Sequence, residues 1–169
     1  FVAQPSILDQ LIAQAALMVE PQDVDLVIGL LHLLDAHGYL RASPAALAEE
    51  LGADQTAIER LGQVLHELEP PGIGARDLRE CLLIQCAHLS AEGVDCRLVC
   101  RVLSEAWDDF IQQRWGQVAH KLGVPVARVE NVLSFISQNL YPYPLALLTD
   151  PSSNHERLFA ADLVIREQV

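Results

Sequence analysis

The residues of this chain whose types could carry acid-base, nucleophilic or metal chemistry are two adjacent carboxylate pairs, Glu49-Glu50 and Asp108-Asp109, six histidines and four cysteines. Acid-base catalysis needs carboxylates that converge on one bond, whereas neighbours on a helix point about 100° apart. Both pairs therefore read as solvated faces. The histidines, at 32, 37, 66, 88, 120 and 155, form no H-E-x-x-H pair, and no G-x-S-x-G elbow occurs. His32 lies inside the apolar run Leu26 to Leu34 and reads as a satisfied core imidazole. Cys81, Cys86, Cys96 and Cys100 lack the C-x2-C knuckles of structural zinc sites. Cys81 and Cys86 would diverge by about 140° on a helix turning ~100° per residue. The four read as buried apolar thiols. Gly72-Ile73-Gly74 is followed by no lysine, so it is not a phosphate loop. No catalytic set, metal site or cofactor is expected, and the chain does not read as an enzyme.

Charge narrows the partners. There are 23 acids against 11 bases, a net charge of -12, and Lys121 is the single lysine. Bare nucleic acid would be repelled rather than steered in. The longest apolar run is far short of the roughly 20 residues of a membrane span, so no membrane association is expected. The chain opens at Phe1-Val2 and reads as an excised piece of something longer.

The elements that must position any site include a motif written twice. Ala48, Gly52 and Ile58 recur, at one constant offset, as Ala119, Gly123 and Val129. Each copy predicts a short helix, a glycine in the left-handed region and a second helix whose β-branched residue packs back on the alanine. This is helix-turn-helix spacing. Both copies run into proline stops, Pro70-Pro71 and Pro142-Tyr143-Pro144, and the register slips by one, since Leu65 matches Ile136 at 71 but Pro70 matches Pro142 at 72. Groove reading by the second helices has thin support, with Gln55, Arg60 and Gln63 beside Glu59 in one, and Arg128 and Asn131 beside Glu130 in the other.

Around these copies the spacing predicts a helix over Ser6 to Met18 and a largely buried one after Pro21 that Gly38 stops. Ser43-Pro44 opens a helix ending at Leu51, and Asp54 caps the next, which carries Ile58, Leu61, Leu65 and Leu68. Asp77 and Glu80 form a D-x-x-E capping box. Asp95 begins a helix with Val94 and Val99 as a hydrophobic staple and Leu98, Val102, Ala106 and Phe110 on one face. Helices over Gln117 to Leu122 and Val126 to about Asn139 complete the second copy. Asp150 to Asn154 reads as a loop, and Leu163-Val164-Ile165 is too short to assign. The expected fold is all-α, about eight helices in two packed subdomains, each holding a helix-turn-helix-like unit. The expected division is an N-terminal helix over 1–20, a first subdomain over 21–75, a second bundle over 76–144 and a tail over 145–169.

The segment from Leu68 through Pro70-Pro71-Gly72-Ile73-Gly74-Ala75-Arg76-Asp77 to Leu83, continued by Gln85, resembles the L-[DE]-P-P-G-[IV]-G-A-R-D-L-x-E-C-L-x-x-Q segment of bacterial sigma-54 (RpoN-type) factors. Asp35-Ala36-His37-Gly38-Tyr39-Leu40 is similar to that family's D-x-x-G-Y-L, and the resemblance runs from about Ser6 to Pro144. It implies a core-binding domain, cytoplasmic, whose partner is core RNA polymerase. It further implies that an ATP-hydrolysing activator and promoter DNA are met only through other parts of the full-length factor. A helix-turn-helix DNA-binding regulator is the alternative. The second exit, Tyr141-Pro142-Tyr143-Pro144-Leu145, departs from the family's N-P-[KR]-P-G, and no R-R-T-V-A-K-Y-R-E box lies within the chain. On this reading Asp35, Gly38, Tyr39, Leu40, Pro70, Pro71, Gly72, Gly74 and Asp77 are structural. Arg76, Arg79, Glu80, Glu49, Glu50 and Glu59 are the candidate polymerase contacts, with Arg76 and Arg79 open between internal pairing to Glu80 or Asp35 and projection to a partner.

Overall fold

The protein was analysed as a computed structural model, which describes residues 3–149. These hold α1 (Ile7–Ala16), α2 (Val24–His32), α3 (Pro44–Leu51), α4 (Gln55–His66), α5 (Leu78–Ala91), α6 (Arg97–Glu105), α7 (Trp107–Ile111), α8 (Trp115–Leu122), α9 (Val126–Asn139) and α10 (Ala146–Thr149). No strand occurs among the described residues. The loop at Asp150 to Asn154 and the segment Leu163 to Ile165 lie outside them.

The described residues form two compact units, 3–81 with 143–149, and 82–142. In the first, Leu11 and Ala15 of α1, Val27, Leu30 and Leu31 of α2, Leu47 of α3 and Ile58, Leu61 and Leu65 of α4 make one core. Each leucine buried this way stabilises by about 2 kcal/mol relative to exposure. In the second, Leu82, Val99, Val102, Leu103, Phe110, Val118, Val129, Val132 and Ile136 are buried, and Trp115 packs edge-on against Phe110 at 5.4 Å between ring centroids.

Both helix-turn-helix units are built as the spacing requires. Gly52 and Gly123 hold φ/ψ of 61°/37° and 67°/37°, and the N–H groups of Ala53 and Val124 donate to Ala48 O at 2.9 Å and Ala119 O at 3.0 Å. No atom lies within 4 Å of a Cβ built at either glycine, so backbone conformation alone demands glycine there.

The duplication extends beyond these units. Ser6 caps α1, its Oγ accepting from Asp9 N and its N–H donating to Asp9. At the same offset as the turns, Asp77 Oδ1 accepts from Glu80 N at 2.8 Å at the start of α5. Gln14 of α1 donates Nε2 to Glu69 O at 3.0 Å and accepts from Glu69 N at 2.9 Å. Gln85 of α5 makes the same two bonds to Tyr141, at 2.6 and 2.7 Å. Each half thus begins on a capped helix whose glutamine clamps the backbone just before the proline stop. The clamped pair Glu69 and Tyr141 already shows the larger offset, which locates the slip inside the longer α9.

Several local expectations are corrected. α2 ends at His32 rather than continuing to Gly38, because the Asp35 side chain takes over the backbone donors beyond it, and His32 is exposed rather than a core imidazole. Asp54 occupies the N-cap of α4 but its side chain caps nothing. Glu80 completes no box with Asp77; its carboxylate accepts from Arg76 N at 2.7 Å. Val94 is exposed and forms no staple, since Cys96, not Asp95, holds the N-cap of α6. The single face through Phe110 is broken at Ala106, with φ/ψ of -134°/28°, into α6 and α7.

Candidate functional site

In the first unit the singled-out motifs converge. Asp35 Oδ1 accepts from His37 N and Tyr39 N, each at 2.9 Å, and Oδ2 accepts from Arg41 Nε at 2.8 Å. Burial pushes the Asp35 carboxyl up, but the hydrogen bonds from Tyr39, Arg41 and His37 outweigh it and hold it below the ordinary range. Gly38, at φ 95°, lets the loop double back. Tyr39 is 2% exposed beneath the Arg41 guanidinium, 5.0 Å from its ring centroid. Burial and the neighbouring Cys81 thiol raise the Tyr39 phenol far above its usual value, so it serves as a packing group and not as an acid or base.

The proline-glycine segment docks on this loop. Gly74 N donates to Gly38 O at 2.9 Å and Leu40 N to Ala75 O at 2.8 Å. Gly74 holds φ 80°, and a Cβ there would lie 2.8 Å from Leu65 Cβ, so α4 and the segment approach as closely as glycine permits. The chain also returns here, with Leu145 N bonding His37 O at 3.4 Å and the Tyr143 ring stacked on His37 at 4.1 Å. That stack uses a tyrosine of the departing second exit.

An open groove of about 340 Å³ runs along this assembly, with Leu40, Leu47 and Ile58 on its floor and Glu59, Gln63, His66, Arg76 and Glu80 along its sides. Of the candidate contacts, it brings together Glu59, Arg76 and Glu80. Arg76 pairs with Glu80, Nη2 to Oε1 at 3.0 Å, and Asp35 pairs with Arg41 instead. Burial raises the Glu80 carboxyl, and the Arg76 side chain and backbone more than reverse this, holding it low. Glu59 accepts from Gln55 Nε2 at 2.8 Å. Glu49 and Glu50 are exposed on α3, and Arg79 is half-buried on α5; none of the three lines the groove.

Groove reading loses its main cation here. Arg60, the one Arg or Lys of α4, makes two 2.9 Å bonds to the buried Asp23 carboxylate. The pairing of Arg60 with a residue 37 positions away carries no local sequence signal. Cys81, Cys86 and Cys96 are buried and Cys100 is partly so; burial and the other two thiols of the second unit push Cys86 upward, which suppresses its reactivity. Among the described residues no cluster of His, Cys, Asp or Glu could hold a metal ion, and no helix is long and apolar enough to cross a membrane.

Similarity to known proteins follows the same residues. The description "Sigma-54 factor, core binding domain" matches residues 1–169. An RNA polymerase sigma-54 factor of Bacillus subtilis (strain 168) is 30% identical over 125 residues, 74% of this chain and 28% of that protein. The one of Pseudomonas aeruginosa (strain UCBPP-PA14) is 26% identical over 146 residues, 84% of this chain and 29% of the relative. That of Rhizobium meliloti (strain 1021) reaches 50% over 52 residues, 31% of this chain and 10% of its own length. The chain thus corresponds to less than a third of these relatives. Matched along its full length to that description, the chain belongs to the family of sigma-54 factor core-binding domains.

Proposed function

We propose that this domain docks a sigma-54-type initiation factor on core RNA polymerase and carries out no catalysis itself. The observation that supports this most is the outward face of the first helix-turn-helix-like unit. It offers an apolar-floored groove edged by Glu59 and Glu80, while Arg60 is held by Asp23. A partner with basic and apolar groups is complementary to such a face, and a duplex is not. In this reading the activator is engaged, and the promoter sequence is read, through other parts of the factor, and the protein works in the cytoplasm.

The test uses the full-length factor carrying this domain. It should co-migrate with core polymerase at moderate salt, and Glu59→Lys should weaken binding by roughly three- to tenfold, chiefly through a slower association rate. Clean separation of factor and polymerase at micromolar concentrations would overturn the proposal.

A further inference from the structure

The duplicated scaffold lets its two halves be compared position by position. The buried set Val27, Leu30 and Leu31 of α2 recurs as Val99, Val102 and Leu103 of α6, at the larger of the two offsets, while the turns before α4 and α9 keep the smaller one. In that register Asp25, Gly29 and Ala57 fall opposite Arg97, Arg101 and Arg128. In the first half a Cβ on Gly29 would lie 2.9 Å from Leu51 Cδ2. In the second, Arg101 Nη2 donates to the carbonyl of Leu122, the counterpart of Leu51, at 3.3 Å. The first half thus builds the same scaffold with aspartate, glycine and alanine where the second carries three arginines.

The three arginines line one concavity of about 340 Å³ in the second unit, together with Asp95, Leu98 and Val124. Three guanidiniums there face a single carboxylate, in a chain whose 23 acids outnumber its 11 bases. Arg97 pairs with Asp95 at 2.9 Å and Arg101 with Glu105 at 3.2 Å. The Arg128 side chain makes no hydrogen bond or ion pair among the described residues, yet its charge reaches Asp95, whose carboxyl is held at about 2, chiefly by its bonds from Arg97. The side chains are accessible, Arg97 at 89% and Arg101 at 45%.

We infer that this arginine cradle binds a phosphate of a nucleic-acid backbone. The inference rests on the polymerase-docking reading, which brings nucleic acid beside a domain too acidic to attract it from solution. The guanidinium fork matches phosphate oxygens in pairs. The concavity is open, which suits a polymer laid across it better than a small anion that must be enclosed. Asp95, Glu105 and Glu130 stand close by in sequence or contact, so the site grips backbone and does not read bases.

The decisive measurement is the salt dependence of duplex DNA binding by the full-length factor with core polymerase, comparing wild type with Arg128→Gln and with Arg97→Ser/Arg101→Ser/Arg128→Ser. Arg128→Gln breaks no side-chain bond among the described residues, so the fold should be kept. The slope of log affinity against log salt should shrink by roughly 0.9 for each phosphate no longer neutralised, so about 1 for the single variant and more for the triple. Unchanged slopes in both variants overturn the cradle. Polymerase binding without DNA is read first: if the variants lose that affinity while the DNA slope stays fixed, the ligand is a protein carboxylate and the inference fails. Full competition by millimolar inorganic phosphate would identify a free-anion site and also overturn it. Failure of the wild-type factor to bind polymerase would overturn the docking reading and this inference with it, whereas polymerase binding with unchanged slopes overturns this inference alone.

Discussion

Gly52 and Gly123 turn the chain at nearly the same φ/ψ, and the clamps of Gln14 on Glu69 and Gln85 on Tyr141 repeat the same two bonds, yet the halves diverge past the clamps. After the first clamp the segment through Gly74 folds back on α4 and on the Gly38 loop of the same unit. After the second, the described residues 143–149 belong to the first unit, and none of them repeats that strap. Turn and clamp are therefore the shared machinery of the scaffold, and exit segments and surface charge are where the two copies were free to specialise.

The strap, present in one half alone among the described residues, should show the largest effect. Gly74→Ala adds a Cβ against the Cβ of Leu65 and forces a non-glycine residue to φ 80°, so it should destabilise by about 3 kcal/mol, overpacking and backbone strain together. Urea unfolding measures it, and a loss no greater than that of Gly52→Ala would show that close approach is not what the strap requires. Next come the clamps. Gln85 is 2% exposed and its bonds to Tyr141 are part-buried, so Gln85→Ala should cost about 2 kcal/mol, while Gln14→Ala, at a more accessible site, should cost about 1 kcal/mol. Equal losses would mean the two clamps are buried alike.

Gly52→Ala and Gly123→Ala probe what the halves have in common. Both turns have open space for a methyl group, so each substitution should cost about 1 kcal/mol from backbone conformation alone, and asparagine should recover part of it. Thermal unfolding that separates the two by more than about 1 kcal/mol would contradict a common turn. The smallest effect is expected at Asp35, which has no counterpart carboxylate, since the two offsets place Ala106 or Trp107 opposite it in the second copy. Its carboxyl is held below 3.8, so its contribution is present above the unfolded value and is lost as pH falls through the lower folded value. Asp35→Asn should flatten stability against pH below about 4. An acid limb unchanged by the substitution would remove Asp35 from the loop's electrostatics.

Much of the scaffold was legible from residues a few positions apart. Pro44–Leu51 has the bounds that Ser43-Pro44 and Gly52 imply, and both glycine turns follow from the same local rule. The local signals failed where several donors compete for one acceptor. Glu80 had a choice between Asp77 N and the adjacent Arg76, and the guanidinium with its backbone N–H won. Asp54 sits at a cap without capping, and α2 yields at His32 because the Asp35 carboxylate satisfies the loop beyond it. In the candidate site, the motif residues around Asp35 and Gly72 to Asp77 were visible as motifs, but their convergence on one loop was not.

Helical character, two like turns with proline stops behind them, and the glycines that must adopt positive φ are all written in the chain, because each depends on one residue and its near neighbours. Folding in three dimensions settled the rest: Gln14 and Gln85 hold backbone 55 and 56 residues away, Arg60 is engaged by Asp23, and three arginines gather on one side of the second copy. Such pairings are set by which surfaces packing brings within hydrogen-bond distance, and residues tens of positions apart leave no periodicity from which that distance could be read.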